Sequence, residues 1–303
     1  MENNKGEIAA AYRAESVTLR TLAPGKVRII VTKRDPLRDS RESPWLTAAD
    51  SDTRSEAIEV GRTESGDRAT VNLFSTSLLI GGNPGSGKSA AMTNIVAALA
   101  LDPQVELHLV DAKGGVELRQ WEPCAERFAD TLESSTPLLE DLLSKTLSRF
   151  DVLKGAGLKK WRAEDGSIAL VIDELAEITG SGSKASKEAA ETLRRIIALG
   201  RAAGVSVIVA TQKPDSTTVP TAIRDMMAQR LGLRCGARGQ ADVIIPELGE
   251  ELTRIPLGLP GVGYITNQQG GYERMRAYFI PDDAVAELAH RAAQHRSEHV
   301  HAG

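Results

Sequence analysis

Gly82-Asn83-Pro84-Gly85-Ser86-Gly87-Lys88-Ser89 is the stretch on which the reading of this sequence turns. It fits the pattern G-x-x-x-x-G-K-S in full. A short apolar strand is expected before it, over Ser77 to Ile80, and a helix after it, from about Lys88 to Leu101. Glycines let a backbone fold around phosphate oxygens with its amides pointing inward, and the following helix offers its positive end. Lys88 is expected to reach the β and γ phosphates, and Ser89 to ligate Mg2+. The expected ligands are therefore ATP and Mg2+, with Gly82, Asn83, Pro84, Gly85, Ser86 and Gly87 forming the cradle.

Outward from this loop, strand and helix patterns alternate as far as about residue 235. Val105 to Val110, Ile168 to Ile172 and Val205 to Ala210 are short apolar runs with little alternation, as in strands buried on both faces. Long helical patterns lie between them, over Thr131 to Lys154 and Ala185 to Ala203. The alternation predicts an α/β fold with a mostly parallel sheet and helices on both faces. Leu231 to Leu233 and Gly263 to Ile265 are expected as further strands near the sheet edge. Ahead of this core, Thr18 to Thr32 reads as two strands around a turn at Pro24-Gly25. Lys33 to Ala57 reads as a polar linker, and residues 58–73 as a hairpin turning at Ser65-Gly66-Asp67. The expected division is a small β-containing N-terminal region with its linker over 1–57, an ATPase core over 58–283, and a short helix with a loose polar tail over 284–303.

Three strand ends carry the remaining chemistry. Ile168-Ala169-Leu170-Val171-Ile172 delivers Asp173 and Glu174, the first expected to hold Mg2+ and the second to orient and polarise an attacking water. Read alone, the same pair would serve as a helix start before Leu175. Gln212, after Val205 to Ala210, is a candidate for sensing the γ phosphate, since ligands of open α/β sheets lie at the strands' carboxyl ends. Asp111 ends another strand on the ligand side, before a flexible turn with Lys113. An arginine acting in trans from a neighbouring subunit is expected for such chemistry. Arg201 and Arg230 are the main candidates, with Arg194, Arg195, Arg234 and Arg238 also available. A small-molecule kinase could use similar parts, but a ring ATPase accounts for more of the chain.

Composition narrows the field. The chain has 303 residues, 37 Lys and Arg against 41 Asp and Glu, and a formal charge of −4. That excludes a histone-like binder but not a motor that confines positive charge to one channel. Three Trp, four Tyr and four Phe, unclustered, argue against serial base stacking on single strands. Cys124 and Cys235 lack metal-ligand spacing and read as buried thiols in a reducing compartment. No stretch approaches the ~20 apolar residues that cross a bilayer. The expected location is cytoplasmic, with any membrane role peripheral or through partners.

The motifs together resemble the motor domain of the FtsK/SpoIIIE family of double-stranded DNA translocases. The resemblance rests on Leu78 to Ser89, on Val110-Asp111-Ala112-Lys113-Gly114-Gly115-Val116-Glu117-Leu118, and on Val171-Ile172-Asp173-Glu174-Leu175. Gly200-Arg201-Ala202-Ala203-Gly204-Val205 and Ile208-Val209-Ala210-Thr211-Gln212-Lys213-Pro214 complete it. It spans about residues 58–266. It implies a RecA-like core, a homo-hexameric ring around double-stranded DNA, and stepping that needs no sequence recognition. By position, Lys88, Ser89, Asp173 and Glu174 keep the roles above, and Gln212 matches the family's polar sensor. Two departures stand out. The membrane-spanning and winged-helix regions of chromosome-partitioning members are not expected here. The stretch Gln240-Ala241-Asp242-Val243-Ile244 lacks an arginine found there in the family. The compact build resembles small transfer proteins of actinomycete conjugative plasmids and integrative elements. The resulting expectation is ATP-driven DNA translocation in conjugative transfer, with membrane-associated partners. The alternatives are an ATPase energising protein secretion and a non-hydrolysing nucleotide-binding adaptor.

Overall fold

In the computed structural model, which describes residues 5–23, 25–48 and 57–302, a ten-stranded mixed sheet organises the chain. Helix α1 (Lys5–Tyr12) leads into a separate antiparallel hairpin of β1 (Ser16–Ala23) and β2 (Lys26–Thr32). The turn residue Pro24 lies outside the described residues, as do 49–56. The sheet then takes β3 (Ile58–Thr63), β4 (Arg68–Val71) and β5 (Ser77–Gly81), followed by α2 (Lys88–Leu101) and β6 (Val105–Val110). Next come β7 (Arg127–Ala129), α3 (Leu132–Ala156), β8 (Ser167–Ile172), α4 (Leu175–Thr179), α5 (Lys184–Ala203) and β9 (Val205–Thr211). The last part holds α6 (Thr221–Arg224), β10 (Gln229–Leu233), α7 (Arg238–Ile244), α8 (Gly249–Arg254), β11 (Val262–Thr266), β12 (Tyr272–Ala277) and α9 (Asp282–Ala302).

The sheet order is β4-β3-β12-β11-β10-β5-β9-β8-β6-β7. From β10 to β7 all neighbours are parallel; from β10 to β4 all are antiparallel. The parallel half is the expected α/β core. Its strands are apolar throughout because both faces are covered. Leu78, Ile80, Ala169, Val171 and Ile208 face α2, while Leu79, Ile168, Leu170, Val207 and Val209 face α3 and α5. Thr131 caps α3 reciprocally with Ser134, and Ser183 caps α5.

Four expectations need correction. β10 was expected near the edge, yet it lies in the middle of the sheet, because the β3-β4 and β11-β12 strands extend the sheet beyond it. Strands β7 and β12 and helix α1 were not anticipated. Strand β12, Tyr-Glu-Arg-Met-Arg-Ala, is too polar to read as a sheet strand from pattern alone. The polar linker is, over 35–48, a packed strap. Leu37 and Trp45 are buried, and Phe279 exchanges main-chain hydrogen bonds with Arg41 and Ser43. Lastly, the C-terminal helix is neither short nor loose. Helix α2 is apolar around its whole circumference and so needs cover on two sides. The sheet covers one side. Helix α9 covers the other through Val285, Leu288, Ala289 and Ala292. Arg296 of α9 then donates to the carbonyls of Ala100 and Asp102, at 3.2 and 2.8 Å, where α2 ends. Among the described residues no helix is long and apolar enough to cross a membrane.

Candidate functional site

The glycine-rich loop leaves the carboxyl end of β5 and opens α2. Gly85 and Gly87 both take positive φ, at 75° and 93°. At Gly87 the requirement is also steric, since a Cβ would collide with the main chain of Gly261. The Gly261 amide donates to the Ser86 carbonyl at 2.8 Å, so the β11 side of the sheet clamps the loop. A second tie comes from Asn83, whose Oδ1 accepts from the Gly236 amide at 2.7 Å.

Lys88, Asp173 and Glu174 come together beside this loop. Lys88 Nζ donates to Asp173 Oδ1 at 2.5 Å and to the Asp173 carbonyl at 3.0 Å. Lys88 is 3% exposed and Asp173 1%, so each neutralises a charge that would otherwise stand bare in the interior. Glu174 Oε1 accepts from Thr211 Oγ1 at 2.8 Å, and its Oε2 from the Gln212 amide at 3.0 Å. Glu174 also caps α4, so the helix-start reading and the site reading of this residue hold together. The three residues follow β5 and β8, with β9, between them in the sheet, supplying Thr211 and Gln212.

A cavity of about 450 Å³ opens on the loop. Lys88, Ser89 and Gln212 line it together with Ser40, Tyr278 and Phe279. Burial, then the hydrogen bond to Glu59, pushes the Tyr278 hydroxyl up to about 12, so it stays protonated. Asp173 Oδ2 and Ser86 Oγ are buried with no hydrogen-bond partner among the described residues. Such orphaned oxygens beside a phosphate-sized cradle fit a cation and a polyphosphate. Asp111, wholly buried, accepts from the Glu117 and Leu118 amides at 2.8 and 2.9 Å. That closes the turn in which Lys113 and Val116 project into solvent.

The arginines do not join this cluster within one chain. Arg201 lies at the opposite end of the sheet, where α5 meets the start of β9, beside a second cavity of about 730 Å³ with Lys160 and Trp161. Arg230 donates to the carbonyls of Ile244 and Arg224, at 2.7 and 3.1 Å. Arg234 follows β10 at the loop's end of the sheet, its carbonyl accepting from the Asn83 amide. Sequence reasoning missed the far wall of the cavity: Ser40, Pro260, Gly261, Arg276, Tyr278 and Phe279. No motif marks these residues, and they meet only because β11, β12 and the strap fold back on the loop.

The sequence profile of the FtsK/SpoIIIE family matches residues 41–254. The chain belongs to the FtsK/SpoIIIE family. The match takes in the loop, both carboxylates, Gln212 and part of the strap. The DNA translocase FtsK of Staphylococcus epidermidis is 24% identical, over 94% of this chain and 38% of its own length. This family member therefore spans under two fifths of that relative. Among solved structures, the pCW3 conjugation coupling protein TcpA in its monomer form with ATPγS superposes at a TM-score of 0.75. It is 19% identical, over 97% of this chain and 85% of that one. The cytoplasmic domain of the Type VII secretion ATPase EccC of Thermomonospora curvata gives 0.66, at 19% identity, over 82% and 33%. Identities this low establish a shared fold: the RecA-like α/β architecture that the FtsK/SpoIIIE motifs imply.

Proposed function

We propose that the protein is an ATP-hydrolysing motor that moves double-stranded DNA, working as a homo-hexameric ring in conjugative transfer. The observation that carries this is the buried Lys88–Asp173 pair with Glu174 beside the glycine-rich loop. The named translocase relative and the fold shared with a conjugation coupling protein support the DNA substrate and the setting. We also propose motor domain boundaries near residues 58 and 283, with the strap and α9 packed against that body.

Lys88 would leave Asp173 to bind the β and γ phosphates. Loop amides and the α2 N-terminus would take the remaining phosphate oxygens. Ser89 and the freed Asp173 would hold Mg2+, which supplies charge neutralisation on the phosphates. Glu174 would accept a proton from the attacking water at Oε2, held in place by Thr211 and the Gln212 amide. The Gln212 side chain, on the cavity wall, would register the γ phosphate. Of the trans candidates, Arg201 is exposed and makes no ion pair among the described residues, whereas Arg230 is bound to two carbonyls of its own chain. Of these two main candidates, Arg201 is the one open to a neighbouring subunit.

ATP hydrolysis with and without long linear duplex DNA tests the reading, with Lys88→Ala and Glu174→Gln as controls. Duplex stimulation that both variants lose is the expected result. Turnover that duplex DNA leaves unchanged would overturn DNA as the substrate and favour a protein cargo. Tight ATP binding without turnover would overturn the motor itself.

A further inference from the structure

The far wall of the 450 Å³ cavity has an unusual polar inventory. Phe279 donates its amide to the Arg41 carbonyl and accepts at its own carbonyl from the Ser43 amide, at 2.9 and 3.0 Å. Tyr278 donates its amide to the Val60 carbonyl at 3.0 Å, and its carbonyl accepts from Asn94 Nδ2 at 2.7 Å. The Tyr278 hydroxyl is held by Glu59. Gly261 donates to Ser86 and accepts from the Ala277 amide, both at 2.8 Å. Pro260 has no N–H, and its carbonyl accepts from Arg276 at 3.1 Å. Every main-chain donor and acceptor of residues 260, 261, 278 and 279 is thus engaged.

Beyond these, the wall carries the Phe279 ring, Ser40 and the Arg276 guanidinium. Phe279 is 46% exposed and lines the cavity. Ser40, on the strap, lines the same cavity. Arg276 fixes the strap there by donating to the carbonyls of Leu37, at 2.9 Å, and Arg38. A hydroxyl rotates to donate or accept, so it can serve the edge of either purine. Strong rejection of a wrong base needs buried polar groups that it would leave unpaired, and the main chain of these four residues presents none.

We propose that Phe279 holds the nucleotide base by stacking, and that the site takes purine triphosphates with little preference between adenine and guanine. This rests on the nucleotide-site reading above. Stacking is sequence-tolerant because every base has a π face, and the larger purines cover more of the ring.

The test is equilibrium binding to the full chain of ribose-labelled fluorescent ATP, GTP and CTP, with inorganic tripolyphosphate as an unlabelled competitor. ATP and GTP are expected to bind within about tenfold of each other, and CTP more weakly. Phe279→Ala is expected to weaken both purines by about tenfold or more while leaving tripolyphosphate competition unchanged. Phe279→Tyr keeps the ring and is expected to bind like the parent. A preference for ATP of about 100-fold or more over GTP would overturn the proposal, since that needs a base edge read by hydrogen bonds. So would ATP binding that is indifferent to Phe279→Ala. If neither nucleotides nor tripolyphosphate bind, the nucleotide site itself fails and the stacking with it. If tripolyphosphate binds but Phe279→Ala changes nothing, only the stacking fails.

Discussion

The two halves of the sheet solve different problems. The parallel half, β10 to β7, is buried on both faces and made of continuous apolar runs. It sets Lys88, after β5, and Asp173 and Glu174, after β8, at the same end of the sheet, on either side of β9. The antiparallel half, β4 to β11, is held at its outer face by charge. Arg274 on β12 donates to Asp35 at 2.6 and 3.0 Å and to Glu64 at 3.0 Å, tying strap, hairpin and sheet together. The first half carries the groups that would do chemistry, and the second builds a wall that would receive the rest of the proposed nucleotide. A residue's half should therefore forecast which quantity its loss changes.

The largest expected effect is at Glu174. Glu174→Gln should lower turnover by about 10²–10⁴-fold, the range for a lost general base, with nucleotide binding kept. Steady-state kinetics beside equilibrium binding checks this. Equal loss of binding would show that Glu174 only builds the fold, and the comparison would break there.

Stability should divide in the same way. Leu170→Ala, in a fully buried strand of the parallel half, should cost about 2–5 kcal/mol in denaturant unfolding. Arg274→Ala should cost about 1–2 kcal/mol, because its side chain is 19% exposed and its acid partners 21% and 38%. The reverse order would mean that the charged strap, not the apolar core, is the main brace.

Each half also carries a carboxylate with a lowered pKa. At Glu106, burial alone would raise the value, but hydrogen bonds to His108 and Lys145 outweigh it and bring the group from 4.5 to about 2. At Asp35, burial likewise raises it and the bonds from Arg274 and the Leu37 amide prevail, so its pKa is lowered. A depressed carboxylate stabilises the fold fully above its unfolded pKa, and that contribution is lost as pH falls through the folded value. Unfolding free energy should therefore drop between pH 4.5 and about 2, and Glu106→Gln should flatten that slope. An unchanged slope would place the acid sensitivity in the antiparallel half.

The smallest effect concerns the thiols. Burial pushes Cys124 up to about 11 and Cys235 up to about 12. Neither should react with iodoacetamide at pH 8 until the chain is unfolded. Rapid labelling of Cys235 alone would show that the β10–α7 connection opens beside the loop.

Legibility follows the same divide. Parallel strands announce themselves because covering both faces demands unbroken apolar runs, and the boundaries expected for Val105–Val110 and Lys88–Leu101 hold. Strand β12 hides because its residues are polar: although it pairs with the adjacent β11, Arg274 on it is satisfied by Asp35 and Glu64, some 210 to 240 residues away in sequence. The packed α9 was legible in part. An all-apolar α2 already requires a second cover, but pattern alone does not say which segment supplies it.

The sequence by itself determined the glycine-rich loop, the two carboxylates and the parallel character of the sheet around them. Each depends on residues close in sequence: a turn that only glycine can make, and a strand end that presents Asp173 and Glu174 together. Only the tertiary structure decided which residues wall the cavity, that the strap closes it, and that Arg201 faces away from it. Those outcomes arise from contacts between distant segments, where packing and charge pairing, rather than local pattern, select the partner.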